Sequence, residues 1–363
     1  MKKLLLASTA LVMTAGAAAA QVNLSGEARM GIAYDNGIAN GTVASPNNTA
    51  KLQFTSRIRV TFSMSGETDS GLAFGASIRG DQFAAGNAGN TGMTGGTVFI
   101  DGAFGRLTFG DTAGAARAAV GDLYAVGLTG VGDLHEMGYL DRTYSVGGYT
   151  SVNRRTAVLY QYTLDNFSFY ASLGQQRRTT GVVGGVFTNT ARNTDELAAI
   201  GVKYSIDGFT LSAGYEMSEG KFTNTAAPAT NNKISASHLI IGAEYAMDNF
   251  KVKAIAGQVG GDLGTYLGND ANSRRTQYGL SVSGEFDATT VTAFVNRGFR
   301  STDYGIGASY DLGGGAKLVG GVSRQGSAGA QAAVAGAGGV GAFPAAAARS
   351  TRTRADLGLN FSF

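Results

Sequence analysis

The chain has 363 residues, no cysteine, no tryptophan, 56 glycines and 3 prolines. Without cysteine, no disulfide framework or thiolate metal site is open to it. Its 29 basic and 26 acidic residues are too nearly balanced for a nucleic-acid binder.

In chain order, Lys2 and Lys3 precede an apolar run from Leu4 to Val12, and the small residues Ala17 to Ala20 offer an A-x-A cleavage site before Gln21. This reads as a secretory signal peptide, since the run is well short of the roughly 18 to 20 residues of a spanning helix. The expected organisation is a cleaved leader over 1–20 and a single barrel over 21–363. No later apolar stretch approaches helical spanning length, so any membrane crossing must use strands.

From the expected mature N-terminus, Val22, Leu24, Ala28, Met30, Ile32 and Tyr34 alternate with Asn23, Ser25, Glu27, Arg29 and Gly31. Leu52, Phe54, Ile58, Val60, Phe62 and Met64 then alternate with Gln53, Thr55, Arg57, Arg59, Thr61 and Ser63. A soluble sandwich would bury the apolar face and a membrane barrel would turn it outward, so pattern alone does not choose.

Connection lengths choose. Tight turns near Gly66–Gly71, Gly102–Gly105, Leu164–Phe167, Ile206–Phe209, Met247–Phe250, Phe286–Thr289 and Leu312–Ala316 alternate with long connections. The long ones are Asp35–Lys51, Asp81–Gly95, Asp111–Arg154, Gln176–Thr194, Ser218–Ser235, Gln258–Arg274 and Gln325–Thr353, with a short one at Arg297–Ser301. Short turns on one side and long loops on the other mark an outer-membrane barrel. Counting segments predicts an all-β fold, a 16-stranded antiparallel transmembrane β-barrel.

A repeat supports this: Tyr162–Phe167, Tyr204–Phe209 and Tyr245–Phe250 each carry Asp-Asn or Asp-Gly between aromatic residues. Those dipeptides supply the positive φ of two-residue hairpins, and the aromatics suit the headgroup level. The last segment, Leu357–Phe363, alternates again and is expected to pair with Val22–Tyr34 and close the sheet.

Catalytic constellations are scarce. His135 and His238 are the two histidines, far apart, and each reads as a solvated side chain. Gly336–Gly341 matches G-x-G-x-x-G but sits in an Ala/Gly-rich loop without a βα context. No cofactor or metal is expected.

The informative polar residues are Arg29, Arg57, Arg59 and Arg79, which would cost roughly 2 to 4 kcal/mol each facing lipid at midplane. They are expected to face a water-filled pore, as are Arg155, Lys203, Lys251 and Lys253, with Glu216 and Glu244 on neighbouring strands. The long Asp111–Arg154 connection carries Asp122, Asp133, Glu136 and Asp141 beside the apolar cluster Leu123, Tyr124, Val126 and Leu128. Such a loop suggests packing on the inner wall, with an external lid or adhesive loop as the alternative.

Long runs resemble the trimeric general porins of purple nonsulfur and related alphaproteobacteria. They are Val22–Gly31, Ser63–Leu72 with Phe74–Ser77, Thr97–Gly105, Gly121–Tyr124 and Gly307–Gly315. The resemblance implies a 16-stranded barrel, a homotrimer in outer-membrane lipid and a third loop folded inward as an eyelet. It also implies a terminal Phe363 read by the outer-membrane assembly machinery. Carried over, the eyelet wall is Arg29, Arg57, Arg59 and Arg79, and its loop side is Asp122, Asp133, Glu136 and Asp141. The expected partners are small hydrophilic solutes and ions. A membrane-embedded hydrolase and an adhesive barrel are the competing classes, the first requiring His135 or His238 beside a serine.

Overall fold

The computed structural model describes residues 21–37, 51–82, 91–93, 95–141, 157–174, 181–183, 186–188, 194–224, 230–269, 273–330, 334–335, 341–343 and 348–363. The expected leader, Arg155 and most of the Gly336–Gly341 motif lie outside them.

Sixteen strands form one closed antiparallel sheet. The first eight are β1 Gln21–Asp35, β2 Leu52–Glu67, β3 Ala73–Gln82, β4 Thr97–Gly102, β5 Gly105–Gly110, β6 Ala157–Leu164, β7 Phe167–Gly174 and β8 Thr194–Ile206. The rest are β9 Phe209–Asn224, β10 Thr230–Met247, β11 Phe250–Gly260, β12 Thr276–Phe286, β13 Thr289–Arg297, β14 Thr302–Gly313, β15 Ala316–Gln325 and β16 Arg352–Ser362. Thr91–Met93 pairs with the end of β3 and continues the line of β4. Each strand pairs with its sequence neighbours, and β16 closes the ring on β1, with Met30 opposite Leu359. Gly26 and Phe363 exchange both backbone hydrogen bonds, at 2.9 and 3.1 Å, so the expected closure is present. Closure leaves no open edge to be satisfied in lipid.

Alternation decides the two faces. Leu24, Met30, Ile58, Ile200, Leu239, Ile306 and Leu357 point outward and are exposed, forming an apolar outer surface. Their neighbours in sequence point into the barrel. At the tight turns, Asp165, Asp207, Asp248 and Asp287 take φ of 51°, 46°, 40° and 51°, the left-handed conformation the repeat predicts. Beside them Phe167 and Tyr204 lie 4.5 Å apart between ring centroids, and Phe209 and Tyr245 4.1 Å.

Three expected connections differ. Ser218–Ser235 is largely strand, because β9 runs to Asn224 and β10 begins at Thr230. Backbone pairing continues there without an apolar face, so hydropathy carries no trace of it. Gln258–Arg274 contains the helix α2, Gly261–Asn269, and the third long connection contains α1, Ala115–Val120.

The packed core lies inside the barrel, between the wall and this third connection. Ala115, Ala116, Val120, Leu123, Val126, Val131, Met137 and Tyr139 are buried against Leu159, Ala199, Ile240, Ile255 and Phe294 of the wall.

Candidate functional site

The third loop leaves β5 and turns inward as α1, whose first N–H donates to Ser172 Oγ of β7 at 2.8 Å. The helix can lie on β8 and β9 because Gly201 and Gly214 face it. A Cβ at either would come within 2.6 Å of Ala115 or Ala116 backbone. Beyond α1 the chain follows the inner wall across successive strands. Tyr124 N–H donates to Ser281 Oγ of β12 at 3.1 Å, and Val126 and Gly127 pass over Gly305, Gly307 and Gly321.

The tip reaches β16 and β1. The N–H groups of Leu128 and Thr129 and the Thr129 hydroxyl donate to Asp356, at 2.9, 2.6 and 2.6 Å. Arg29 Nη1 donates to the Leu128 carbonyl at 3.0 Å.

The return limb retraces the wall. Ser323 Oγ donates to Val131 O at 2.7 Å, and Asn296 Nδ2 donates to the carbonyls of Leu134 and Glu136 at 2.9 and 3.0 Å. Gln277 holds Gly138 in both directions, accepting its N–H and donating to its carbonyl, each at 2.8 Å. Leu140 N–H donates to Glu216 Oε2 at 3.0 Å. The same carboxylate oxygen lies 3.0 Å from His238 Nδ1, and His238 Nε2 lies 3.0 Å from Gln277 Nε2. With the Gln277 amide fixed by Gly138, its nitrogen is the donor. His238 therefore accepts at Nε2 and donates from Nδ1 to Glu216. This corrects the reading of His238 as a solvated side chain. It lies within β10, fully buried beneath the loop with Glu216 and Gln277. His135 is half-buried in the loop, its ring 6.2 Å from Phe294.

Inside the loop, Asp122 accepts the Met137 N–H at 2.9 Å and Asp141 accepts the Gly114 N–H at 2.6 Å, each tying outgoing limb to return limb. Tyr139 Oη donates to the Gly121 carbonyl. Burial, then the charges of Asp122, Glu216 and Asp141, hold its phenol well above the ordinary range, so it remains a donor. Asp133 is exposed beyond the tip, and Glu136 is half-buried on the return limb.

Arg29, Arg57, Arg59 and Arg79 stand together on the inner face of three adjacent strands. Arg29 is opposite Arg57, and Arg79 is one pleat from the Arg59–Asp81 pair. Two acids on the same wall, not singled out from the sequence, interleave with them. Glu27 Oε1 accepts from Arg57 at 2.5 Å, while Asp81 lies 3.2 Å from Arg59 and 2.9 Å from Arg79. Their signal was a spacing of two from Arg29 and Arg79, which puts both on the inner face. Asp356, Gln277 and Asn296 lacked a comparable signal, because their partners are loop backbone groups more than 130 residues away.

Further along the wall, Lys203, Lys251 and Lys253 point inward as expected. Lys253 Nζ lies 3.7 Å from Glu244, and Lys251 and Lys203 sit over the rings of Tyr124 and Tyr170 at 5.4 and 5.9 Å. Among the described residues no group of three metal-ligating side chains occurs.

Comparison with known proteins agrees with this architecture. The family model of Gram-negative porins matches residues 7–330. The porin of Rhodobacter capsulatus is 34% identical over 316 residues, which cover 84% of this chain and 94% of that protein. The Fuscovulum blasticum porin is 28% identical over 322 residues, covering 83% and 94%. A porin structure refined at 1.8 Å superposes with a TM-score of 0.62 at 30% identity, over 94% of this chain and all of the other. In fold alone, a triple mutant of the Rhodopseudomonas blastica porin is similar, with a TM-score of 0.58 at 20% identity and the same coverage. The chain belongs to the Gram-negative porins and is a passive diffusion channel of the outer membrane, not an enzyme.

Proposed function

We propose that small hydrophilic solutes and ions pass a constriction bounded on one side by Arg29, Arg57, Arg59 and Arg79. The acidic residues Asp122, Asp133, Glu136 and Asp141 of the third loop bound the other side. The observation that carries this reading is the hydrogen bond from Arg29 to the loop tip at Leu128, which brings the loop against the arginine-bearing wall. Opposed charges across a narrow aqueous gap orient water and dipolar solutes, so polar molecules pass while apolar ones forfeit hydration. Salt screens such a field over about 10 Å at 0.1 M, so charge discrimination fades as ionic strength rises. Replacing Arg57 and Arg59 together by glutamine should shift the reversal potential toward cations at low salt in planar bilayers. Replacing Asp122 by asparagine should shift it toward anions. Unchanged selectivity in the arginine variant would remove the wall assignment.

The same reading includes cleavage of residues 1–20, the long connections facing outward, a homotrimer in outer-membrane lipid, and recognition of Phe363 during assembly. Family membership and the exposed apolar outer wall support it. Native mass measurement of the detergent-solubilised protein tests the trimer, and a monomer alone would contradict it.

A further inference from the structure

The inner wall formed by β1, β2 and β3 carries its charges in rows, because the odd-numbered residues of all three strands point inward. In one row Glu27, Arg59 and Asp81 lie directly opposite one another across the three strands. Arg29 and Arg57 face each other one pleat nearer the long-connection end, and Arg79 stands one pleat nearer the tight-turn end.

The two carboxylates thread the guanidinium groups together. Glu27 Oε1 accepts from Arg57 Nη2 at 2.5 Å, while its Oε2 lies 3.9 Å from Arg59 Nη1. Asp81 Oδ1 lies 3.2 Å from Arg59 Nε, and Arg79 donates to both Asp81 oxygens, from Nε and Nη2, at 2.9 Å each. The order is Arg57, Glu27, Arg59, Asp81, Arg79, an unbroken chain of alternating charge down the wall. Arg29 stands outside it and donates to the Leu128 carbonyl of the loop tip. Three guanidinium charges against two carboxylates leave the chain at +1, where the same arginines alone would give +3.

Guanidinium groups on neighbouring strands and pleats lie within about 5 to 7 Å of one another, so without counterions they would repel and spread into the lumen. A carboxylate that grips two of them fixes their planes against the wall, and the bidentate pair of Arg79 with Asp81 is the most directional of these contacts. Asp81 is 8% exposed, and a carboxylate at that depth is tolerated only with its partners in place. We propose that Glu27 and Asp81 are specificity-determining residues of the channel. They cancel two of the arginine charges, which sets the attraction of this wall for anions, and they hold the guanidinium groups flat, which sets the free width beside it. These roles rest on the arginine wall lining the constriction, as in the reading above. They add that the field of this wall is a difference between its arginines and two carboxylates, not a count of arginines.

The test is made on the purified channel in planar bilayers under a salt gradient, with strand content by circular dichroism reporting assembly. At about 0.1 M salt, E27Q should raise the anion-to-cation permeability ratio at least about twofold over the wild type, and E27Q/D81N should raise it further. E27Q/R57Q deletes a whole ion pair and leaves the chain at +1, so its ratio should return to the wild-type value. E27D, which keeps the charge, should stay there too. A role in packing alone would leave E27Q/R57Q at least as far from the wild type as E27Q, and that outcome would overturn the charge role. At 1 M salt the Debye length is about 3 Å, so a lower conductance in E27Q/D81N reports guanidinium groups that have swung into the lumen. Conductance equal to the wild type under those conditions would overturn the holding role. R57Q/R59Q is the control for the constriction. A shift toward cations in R57Q/R59Q with no anion shift in E27Q would overturn the carboxylates' role and leave the constriction standing, whereas no shift in either would overturn the constriction itself. Should D81N fail to assemble, E27Q and E27Q/R57Q, which leave the buried Asp81 untouched, decide the charge role by themselves.

Discussion

Asp356 illustrates how much one side chain of the wall controls. Its carboxylate receives three donors from the loop tip, one of them the buried Leu128 N–H. Replacing it by alanine leaves that donor unsatisfied, a cost of about 1–3 kcal/mol borne by the loop alone. The expected phenotype of Asp356→Ala is a noisier single-channel current with strand content by circular dichroism retained. A quiet, wild-type trace would mean that the tip is held elsewhere. Gln277→Leu should act on the return limb, since it strands both polar groups of Gly138 and the His238 ring together. Mean single-channel conductance should fall as that limb leaves the inner wall for the lumen. At the turns the controlling quantity is backbone conformation. Asp207 at φ 46° precedes Gly208 at φ 82°, and a β-branched side chain is disfavoured there by roughly 1–2 kcal/mol. Asp207→Val should therefore lower the unfolding temperature in detergent, measured by circular dichroism, without altering conductance. The turn residues were legible in the sequence because a hairpin's demand for positive φ is local. The loop anchors were not, because a buried carboxylate or amide looks the same in sequence whether it meets water or a backbone group across the barrel.

Among the elements, the strands announce themselves by alternation, and the inner loop only by its length and the apolar cluster Leu123, Tyr124, Val126 and Leu128. Lipid on one side and water or loop on the other impose period-two alternation on every strand, so both the faces and the inward arginines could be read directly. Where the hairpin of β9 and β10 extends past the apolar band, alternation ceases while the backbone ladder continues, and the strands are longer than hydropathy indicates. The helix α1 is short and alanine-rich, and its place is fixed by glycines on the strands it crosses. Gly214→Val would put a side chain where Ala116 lies. The helix must then move toward the pore axis, and conductance should fall while strand content by circular dichroism is preserved. An unchanged conductance would show that the wall yields instead of the helix.

For the whole molecule, the orientation of turns and long connections decides which side of the membrane each of them meets. A cysteine at Ser327, in the connection after β15, should react with an impermeant reagent on intact cells. One at Asn166, in the turn between β6 and β7, should not, and the reverse pattern would invert the barrel. By itself, the sequence determined the strand count, the closing pair, the outward and inward faces, and the wall arginines. Each of these follows from alternation and turn chemistry within a few tens of residues. Only the tertiary structure decided where the third loop lies, how Asp356, Asn296, Gln277 and Glu216 hold it, and that His238 is buried beneath it. Those contacts join groups far apart in the chain, and barrel closure alone brings them within hydrogen-bond distance.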